Sequence, residues 1–247
     1  MPSLDDGPAL PLDGDPKSSL VRGLALLKRH MLPEEAENLR MGGGTVLAMR
    51  WGHRLSTDVD LVLDKEMHRQ FVLRVRDDLR AELQGLRERR EIKKYRISAR
   101  FAGWEYPDSG PISLSASSAG RQCYGIEANT GIALASTEAI LTGKLLGRVL
   151  VGGQLVARDG YDLCAAFHYD LKAARSVLSR ARVAEPDELE AIYRRIEEAG
   201  KRLIVGRPLV DVSHPEWARD PWGTFVTLAR EAETSRDLDG QSGPAPD

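Results

Sequence analysis

The sequence predicts an α/β (α+β) N-terminal part joined to a mostly helical C-terminal part. Three patterns carry that prediction. Asp58-Val59-Asp60-Leu61-Val62-Leu63 alternates and then runs apolar, as a half-buried strand does. Lys65–Gln84 repeats apolar residues at Phe71, Val72, Val75, Leu79 and Leu83, the spacing of one helix face, and Gly85 marks its end. From Ser136 onward helical periodicity is nearly continuous.

Taken in order, residues 1–16 read as a flexible lead-in, since acids (Asp5, Asp6, Asp13, Asp15) and prolines are the opposite of a signal peptide. Residues 17–135 form the α/β core. Ser18–His30 is a helix with Leu20, Val21, Leu24 and Leu27 as its stripe, and Glu35–Met41 leads into a glycine turn. Thr45–Trp51 makes a short helix and Asp58–Leu63 a strand. Further strands are expected around Tyr95–Phe101, Pro111–Ser115, Gln122–Glu127 and Gly131–Leu134. Residues 136–238 form the helical part, with helices over 136–149, 159–168, 171–181, 186–202 and about 215–234. Val151-Gly152-Gly153 separates the first two. The Gly-, Pro- and Ser-rich tail 239–247 is expected to be disordered.

At 247 residues the chain holds one domain or two small ones, and 42% hydrophobic with 29% charged residues is the composition of an ordinary soluble protein. A net charge of −2 gives no overall bias toward nucleic acid. Cys123 and Cys164 lack CxxC spacing and matching histidines, which argues against a disulfide framework or zinc site and for a reducing cytoplasm. No apolar run approaches the roughly 18 residues that suggest a membrane span.

The chemistry is concentrated between Gly42 and Asp60. Gly42-Gly43-Gly44-Thr45 is followed by Gly52-His53-Arg54 and then by Ser56-Thr57-Asp58-Val59-Asp60. Residues two apart on a strand point the same way, so Asp58 and Asp60 face one site. Carboxylates together with phosphate oxygens are what Mg²⁺ takes as ligands. Gly43 and Gly44 let backbone N–H groups approach those phosphates closely. A glycine turn ahead of paired carboxylates is the order of a nucleotidyltransferase site, with Mg²⁺ (or Mn²⁺) as cofactor and an NTP as substrate. Ser56 either hydrogen-bonds a phosphate or satisfies backbone. Arg54 either clamps a phosphate or holds the loop, and His53 reads chiefly as a structural hydrogen-bonding residue.

A second element follows about ninety residues later. Lys144 stands in the apolar Ala139–Leu146 run, and an ammonium there needs a phosphate or an acidic partner such as Asp159. Thr142-Gly143-Lys144 is not a Walker A loop, because the upstream glycine is missing and Leu145 stands where a metal-binding Ser or Thr belongs. Arg158-Asp159-Gly160-Tyr161-Asp162-Leu163 places Asp159 and Asp162 on one helix face. Asp159 either positions Lys144, contacts the acceptor or caps the helix, with Asp162 in the last case pairing with Arg158.

This ensemble resembles the AbiEii/AbiGii toxin family of nucleotidyltransferases, which includes the MenT-type toxins of type IV toxin–antitoxin systems. Gly43 to Leu61 follows the family pattern G-G-T-A-L-A-x-R-x-G-H-R-x-S-x-D-I-D-L without a gap, and Lys144 with Arg158–Leu163 matches the later lysine and R-D-x-x-D-L segment. The resemblance covers residues 35–165. It implies a polymerase-β-like nucleotidyltransferase core, completed by the helical part. It also implies a triphosphate-binding Lys144, a functional Asp159, and a Ser56 that is catalytic or open to inhibitory phosphorylation. One departure matters. The strand Gly110–Ala116 carries no Asp or Glu, so the third carboxylate of many such enzymes is missing, and Glu105, Asp108 and Glu127 are the acids closest in sequence.

From Arg69 to Arg100 there are eleven Lys/Arg against five acids. That surplus suits an RNA backbone, with Arg87, Arg89, Arg90, Lys93 and Lys94 as contacts and Tyr95 and Phe101 interleaved for stacking. A solvated helix face with compensating acids is the other reading. The resemblance points to the tRNA 3′ end as acceptor, to an antitoxin protein as partner and to phage defence as setting. Two alternatives stay open: transfer to a protein or small-molecule hydroxyl, and a catalytically silent nucleotide-binding relative.

Overall fold

A computed structural model describes residues 7–117, 122–184, 188–199 and 208–241. In chain order the elements are β1 (Ala9–Leu10), α1 (Gly14–Lys28), α2 (Pro33–Glu37), β2 (Arg40–Gly42), α3 (Gly43–Trp51), β3 (Val59–Asp64) and α4 (Lys65–Glu88). There follow β4 (Lys94–Ser98), β5 (Phe101–Tyr106), β6 (Gly110–Ser117), β7 (Cys123–Glu127), β8 (Ala133–Ala135), α5 (Thr137–Thr142) and a π-helical stretch, Gly143–Val151. The rest is helical: α6 (Ala157–Tyr169), α7 (Leu171–Ala184), α8 (Glu188–Ala199), α9 (Pro215–Arg219) and α10 (Pro221–Gln241). The chain divides into two compact units, Met1–Gly143 and Lys144–Asp247.

The first unit is built on one mixed sheet in the order β1-β7-β8-β2-β3-β6-β5-β4. Near its centre β3 runs antiparallel to β2 and parallel to β6. Alternation sorts the two faces. Val59, Leu61 and Leu63 of β3 and Ile112 and Leu114 of β6 are buried, while Asp60, Val62, Ser113 and Ser115 are partly exposed on the other face. α1 and α4 both contact β3 and β6. α4 turns Phe71, Val72, Val75, Leu79 and Leu83 inward, as its periodicity predicts, together with His68, but it runs on to Glu88, so Gly85 lies inside the helix and does not mark its end. Its N-terminus is capped by Asp64, whose carboxylate accepts from Glu66 N–H at 3.0 Å.

Several expectations are corrected. Val21 is 48% exposed and lies off the buried stripe of α1, which starts at Gly14 and buries Pro16. The lead-in is tied down at its inner end: Ala9–Leu10 pairs with β7, Leu12 is buried, and Leu12 N–H donates to Glu127 Oε1 at 3.1 Å. The segment Tyr95–Phe101 is a hairpin and not one strand, because the chain turns at Ala99–Arg100 and returns as β5, an element the alternation does not separate.

In the second unit α6 packs against α10 and α7 around Tyr161, Cys164, Ala165, Val177, Trp222 and Phe225, all buried. Gly160 permits this closeness: a Cβ there would lie 3.0 Å from the Trp222 ring and 3.1 Å from Pro221 Cβ. The Trp222 indole N–H donates to Val156 O at 3.1 Å. The helix expected over 215–234 is broken at Asp220-Pro221 into α9 and α10, because proline disfavours a helical residue before it. α10 then continues through Gln241, so the disordered tail does not begin at 239; residues 242–247, 186–187 and 200–202 of the expected elements lie outside the described residues. Cys123 and Cys164 are free thiols, and burial pushes the Cys164 thiol up. No helix among the described residues is long and apolar enough to cross a membrane.

Candidate active site

The site begins with strand pairing. Gly42, the last residue of β2, lies opposite Asp60 on β3, so the glycine turn that opens α3 sits beside that carboxylate. Gly43 has φ +71°, the left-handed region where a Cβ is penalised, and a Cβ built there would lie 2.1 Å from Asp60 Oδ2. Sequence and tertiary contact both demand glycine at this position. Gly43 opens α3, and no side chain caps the first N–H groups of that helix, which have no intrahelical partners.

Asp58 immediately precedes β3. Asp58 and Asp60 are both partly exposed while Val59 between them is buried, which puts both carboxylates on one face. The loop leading to Asp58 is knitted to α3. Thr45 is buried, its hydroxyl donates to the Asp58 carbonyl, and it lies 2.8 Å from Ser56 Oγ. Gly52 caps α3 in the left-handed conformation at φ +61°. His53 and Arg54 follow it into the interior. His53 packs edge-on against Trp51, with ring centroids 5.3 Å apart, and the Arg54 guanidinium donates to the Leu55 carbonyl at 3.2 Å.

Asp60 has one further partner that the sequence reading missed. Ser113 of β6 stands opposite it in register and donates its hydroxyl to Asp60 Oδ1 at 2.9 Å. The three acids near β6 in sequence are occupied elsewhere. Glu105 pairs with Lys94 at 2.9 Å and Lys93 at 3.4 Å, and Asp108 with Arg22 at 2.7 Å. Glu127 is buried and accepts from Leu12 N–H, Asn129 N–H and Nδ2, and both the N–H and hydroxyl of Thr130. Burial alone would push this carboxyl up. The Thr130 hydroxyl and the Asn129 and Leu12 amides outweigh it and hold the carboxyl below its usual range.

In the second unit, Lys144 and Arg148 lie on the π-helical stretch, a rare form. Lys144 is 5% exposed and meets both aspartates of α6: Nζ pairs with Asp159 Oδ1 and lies 2.9 Å from Asp162 Oδ2. Arg148 reaches the other oxygen of Asp159 at 2.6 Å. Two cations thus face two carboxylates, which keeps the buried cluster neutral. The sequence left Lys144 a choice between phosphate and an acidic partner. The structure gives it two acidic partners, and Arg158 is partly exposed at the start of the same helix. Arg148 was missed, although its four-residue spacing from Lys144 was a usable signal.

The basic stretch is largely self-neutralised. Arg69, Arg74, Arg76, Arg80, Arg89, Lys93 and Lys94 form ion pairs with acids of the same unit. Arg87, Arg90, Arg96 and Arg100 are exposed and have no acid partner among the described residues. β4, which carries Arg96, is the edge of the sheet and three strands from β3, about 14 Å at the usual strand spacing.

Paired carboxylates behind a glycine turn on a mixed sheet are the working parts of a nucleotidyltransferase, and this chain is one. Residues 25–237 match the family described as nucleotidyl transferase AbiEii toxin, type IV TA system, and the chain belongs to that family. Among solved structures it is similar to MenT4, a nucleotidyltransferase toxin from Mycobacterium tuberculosis, at 17% identity over 91% of this chain and 93% of that one, with a TM-score of 0.39. It is also similar to the CD-NTase CdnG of Bradyrhizobium diazoefficiens, solved in complex with GTP, at 15% identity over 94% of this chain and 89% of that one, with a TM-score of 0.32. No curated protein matches.

Proposed function

We propose that the protein moves NMP from an NTP to an RNA 3′ end, the tRNA acceptor end in our reading, as a toxin held in check by a partner antitoxin. The observation that carries this is the Asp60 carboxylate resting against Gly43 while Asp58 shares its face. Two partly exposed carboxylates beside backbone N–H groups are a hard-oxygen donor set and fit Mg²⁺, or Mn²⁺ in its place, with Asp58 and Asp60 as the holding residues. An ion held by Asp58 and Asp60 would supply neutralisation of the charge that builds on the phosphates during transfer. Gly43 and Gly44 offer N–H groups to the phosphates, and Thr45 and Ser56 keep the Asp58 loop in place. We assign Lys144 to the phosphate chain and Asp159 to the acceptor, with Asp162 and Arg148 balancing their charges. In the reaction the acceptor hydroxyl oxygen bonds to the α-phosphorus, its proton is lost, and the bond to pyrophosphate breaks with the electron pair leaving on pyrophosphate.

RNA as acceptor is supported by the exposed Arg87, Arg90, Arg96 and Arg100, cations free to replace counterions on a phosphate backbone. A protein or small-molecule hydroxyl is the second reading, and the ion pairs of Arg89, Lys93 and Lys94 favour it. The test is incubation with total tRNA, Mg²⁺ and each labelled NTP in turn, alongside Asp58→Ala. Label on RNA with one NTP, absent from the variant, is the expected result. Label on protein or small molecules alone would replace RNA with the second acceptor class, and no transfer despite Mg²⁺-dependent NTP binding would leave a silent relative.

A further inference from the structure

We propose that Ser113 is a positioning residue of the paired-aspartate site, taking the place on the neighbouring strand where an acid is missing; this rests on the nucleotidyltransferase reading of Asp58 and Asp60. The argument starts from register. Parallel pairing sets Ser113 directly beside Asp60, on the partly exposed face, and its hydroxyl donates to Oδ1 at 2.9 Å. The other oxygen, Oδ2, packs on the Cα side of Gly43, where even a methyl group would come within 2.1 Å. The carboxylate is therefore gripped between a hydroxyl on β6 and bare backbone at the start of α3. Its plane is fixed before any ligand arrives.

A neutral donor does this differently from a third carboxylate. It adds no charge, and it occupies one of the roughly four lone-pair positions of Asp60, leaving the others for a cation. Glu105, Asp108 and Glu127 are each engaged in contacts of their own, so orientation of Asp60 from β6 falls to Ser113. Residues in this supporting position typically change metal affinity by about 10–100-fold when their hydrogen bond is removed. The loss should appear in cation–nucleotide binding and leave the fold unchanged, because Ser113 is partly exposed and its side chain is small.

The experiment titrates Mn²⁺ by electron paramagnetic resonance into the full chain with a non-hydrolysable NTP analogue. It compares the parent with Asp60→Ala, Ser113→Ala and Ser113→Thr, and records the melting temperature of each. The expected result is loss of binding in Asp60→Ala, weakening by about 10–100-fold in Ser113→Ala at an unchanged melting temperature, and recovery in Ser113→Thr. Parent-like Mn²⁺ affinity in Ser113→Ala, with binding lost in Asp60→Ala, overturns the role of Ser113 and leaves the site reading standing. Equal binding by the parent and Asp60→Ala overturns both. Should Ser113→Ala not fold, Ser113→Cys, with its weak donor, is judged by the same criteria.

Discussion

Gly43 and Asp60 are in contact so close that a methyl group on the glycine would lie 2.1 Å from Asp60 Oδ2. The contact joins the glycine turn that opens α3 to the aspartate-bearing strand β3, and it is reinforced by the positive φ of Gly43. Gly43→Ala should therefore act twice. The left-handed backbone costs about 1–2 kcal/mol with a side chain present, and the carboxylate must swing away. Urea unfolding should show the modest loss of stability, while Mg²⁺-dependent NTP binding should disappear. An alanine variant that binds NTP like the parent would show that Asp60 can move freely.

The buried quartet of Lys144, Arg148, Asp159 and Asp162 makes a stability prediction for the helical unit. Removing Lys144 takes one cation from two buried carboxylates, of which Asp159 keeps its pair with the half-exposed Arg148. Lys144→Met should cost about 3–5 kcal/mol in chemical denaturation, the usual result of stranding a buried charge. Adding Asp162→Asn restores the charge balance and should recover part of that loss, which a double-mutant cycle measures directly. Additive losses in the two variants would contradict a shared cluster.

His68 sets a pH dependence. It is buried under the sheet, and burial depresses its imidazole pKa more than the hydrogen bond to the Leu114 backbone raises it. Below the ordinary imidazole value of 6.5 the unfolded chain takes up a proton that the folded chain resists. Its contribution is thus constant above 6.5 and is lost as pH falls toward the depressed folded value. Urea midpoints at pH 8, 7, 6 and 5 should hold between the first two values and decline from pH 7 through pH 5, and His68→Leu should flatten that decline.

Glu127 acts on the other edge of the same unit, where its carboxylate holds β1 and the Asn129–Thr130 turn. Its lowered folded pKa means that its stabilisation is present above the ordinary value of 4.5 and lost as pH falls through the folded value. Glu127→Gln points an amide NH₂ at donors and should cost about 1–3 kcal/mol near neutral pH. Amide exchange should also quicken at Leu12 and Thr130. Unchanged protection there would show that the turn does not depend on the carboxylate.

The sequence by itself determined what is local. The inward stripe of α4 and the placing of Asp58 and Asp60 on one face both follow from spacings of two to four residues, because helix and strand periods are properties of the backbone. Family membership was legible for the same reason, since the motif from Gly43 to Leu61 is contiguous. Tertiary structure decided the rest. Ser113 lies 53 residues from Asp60 and becomes its partner only when β6 pairs with β3 in one register. Which acids Lys144 meets depended on where the π-helical stretch and α6 carry four charges, and burial then required that they balance. Likewise the basic count from Arg69 to Arg100 was visible in the chain, but folding chose which cations met acids and which four stayed free of them among the described residues. Local periodicity writes elements; strand register and the cost of burying charge choose their partners.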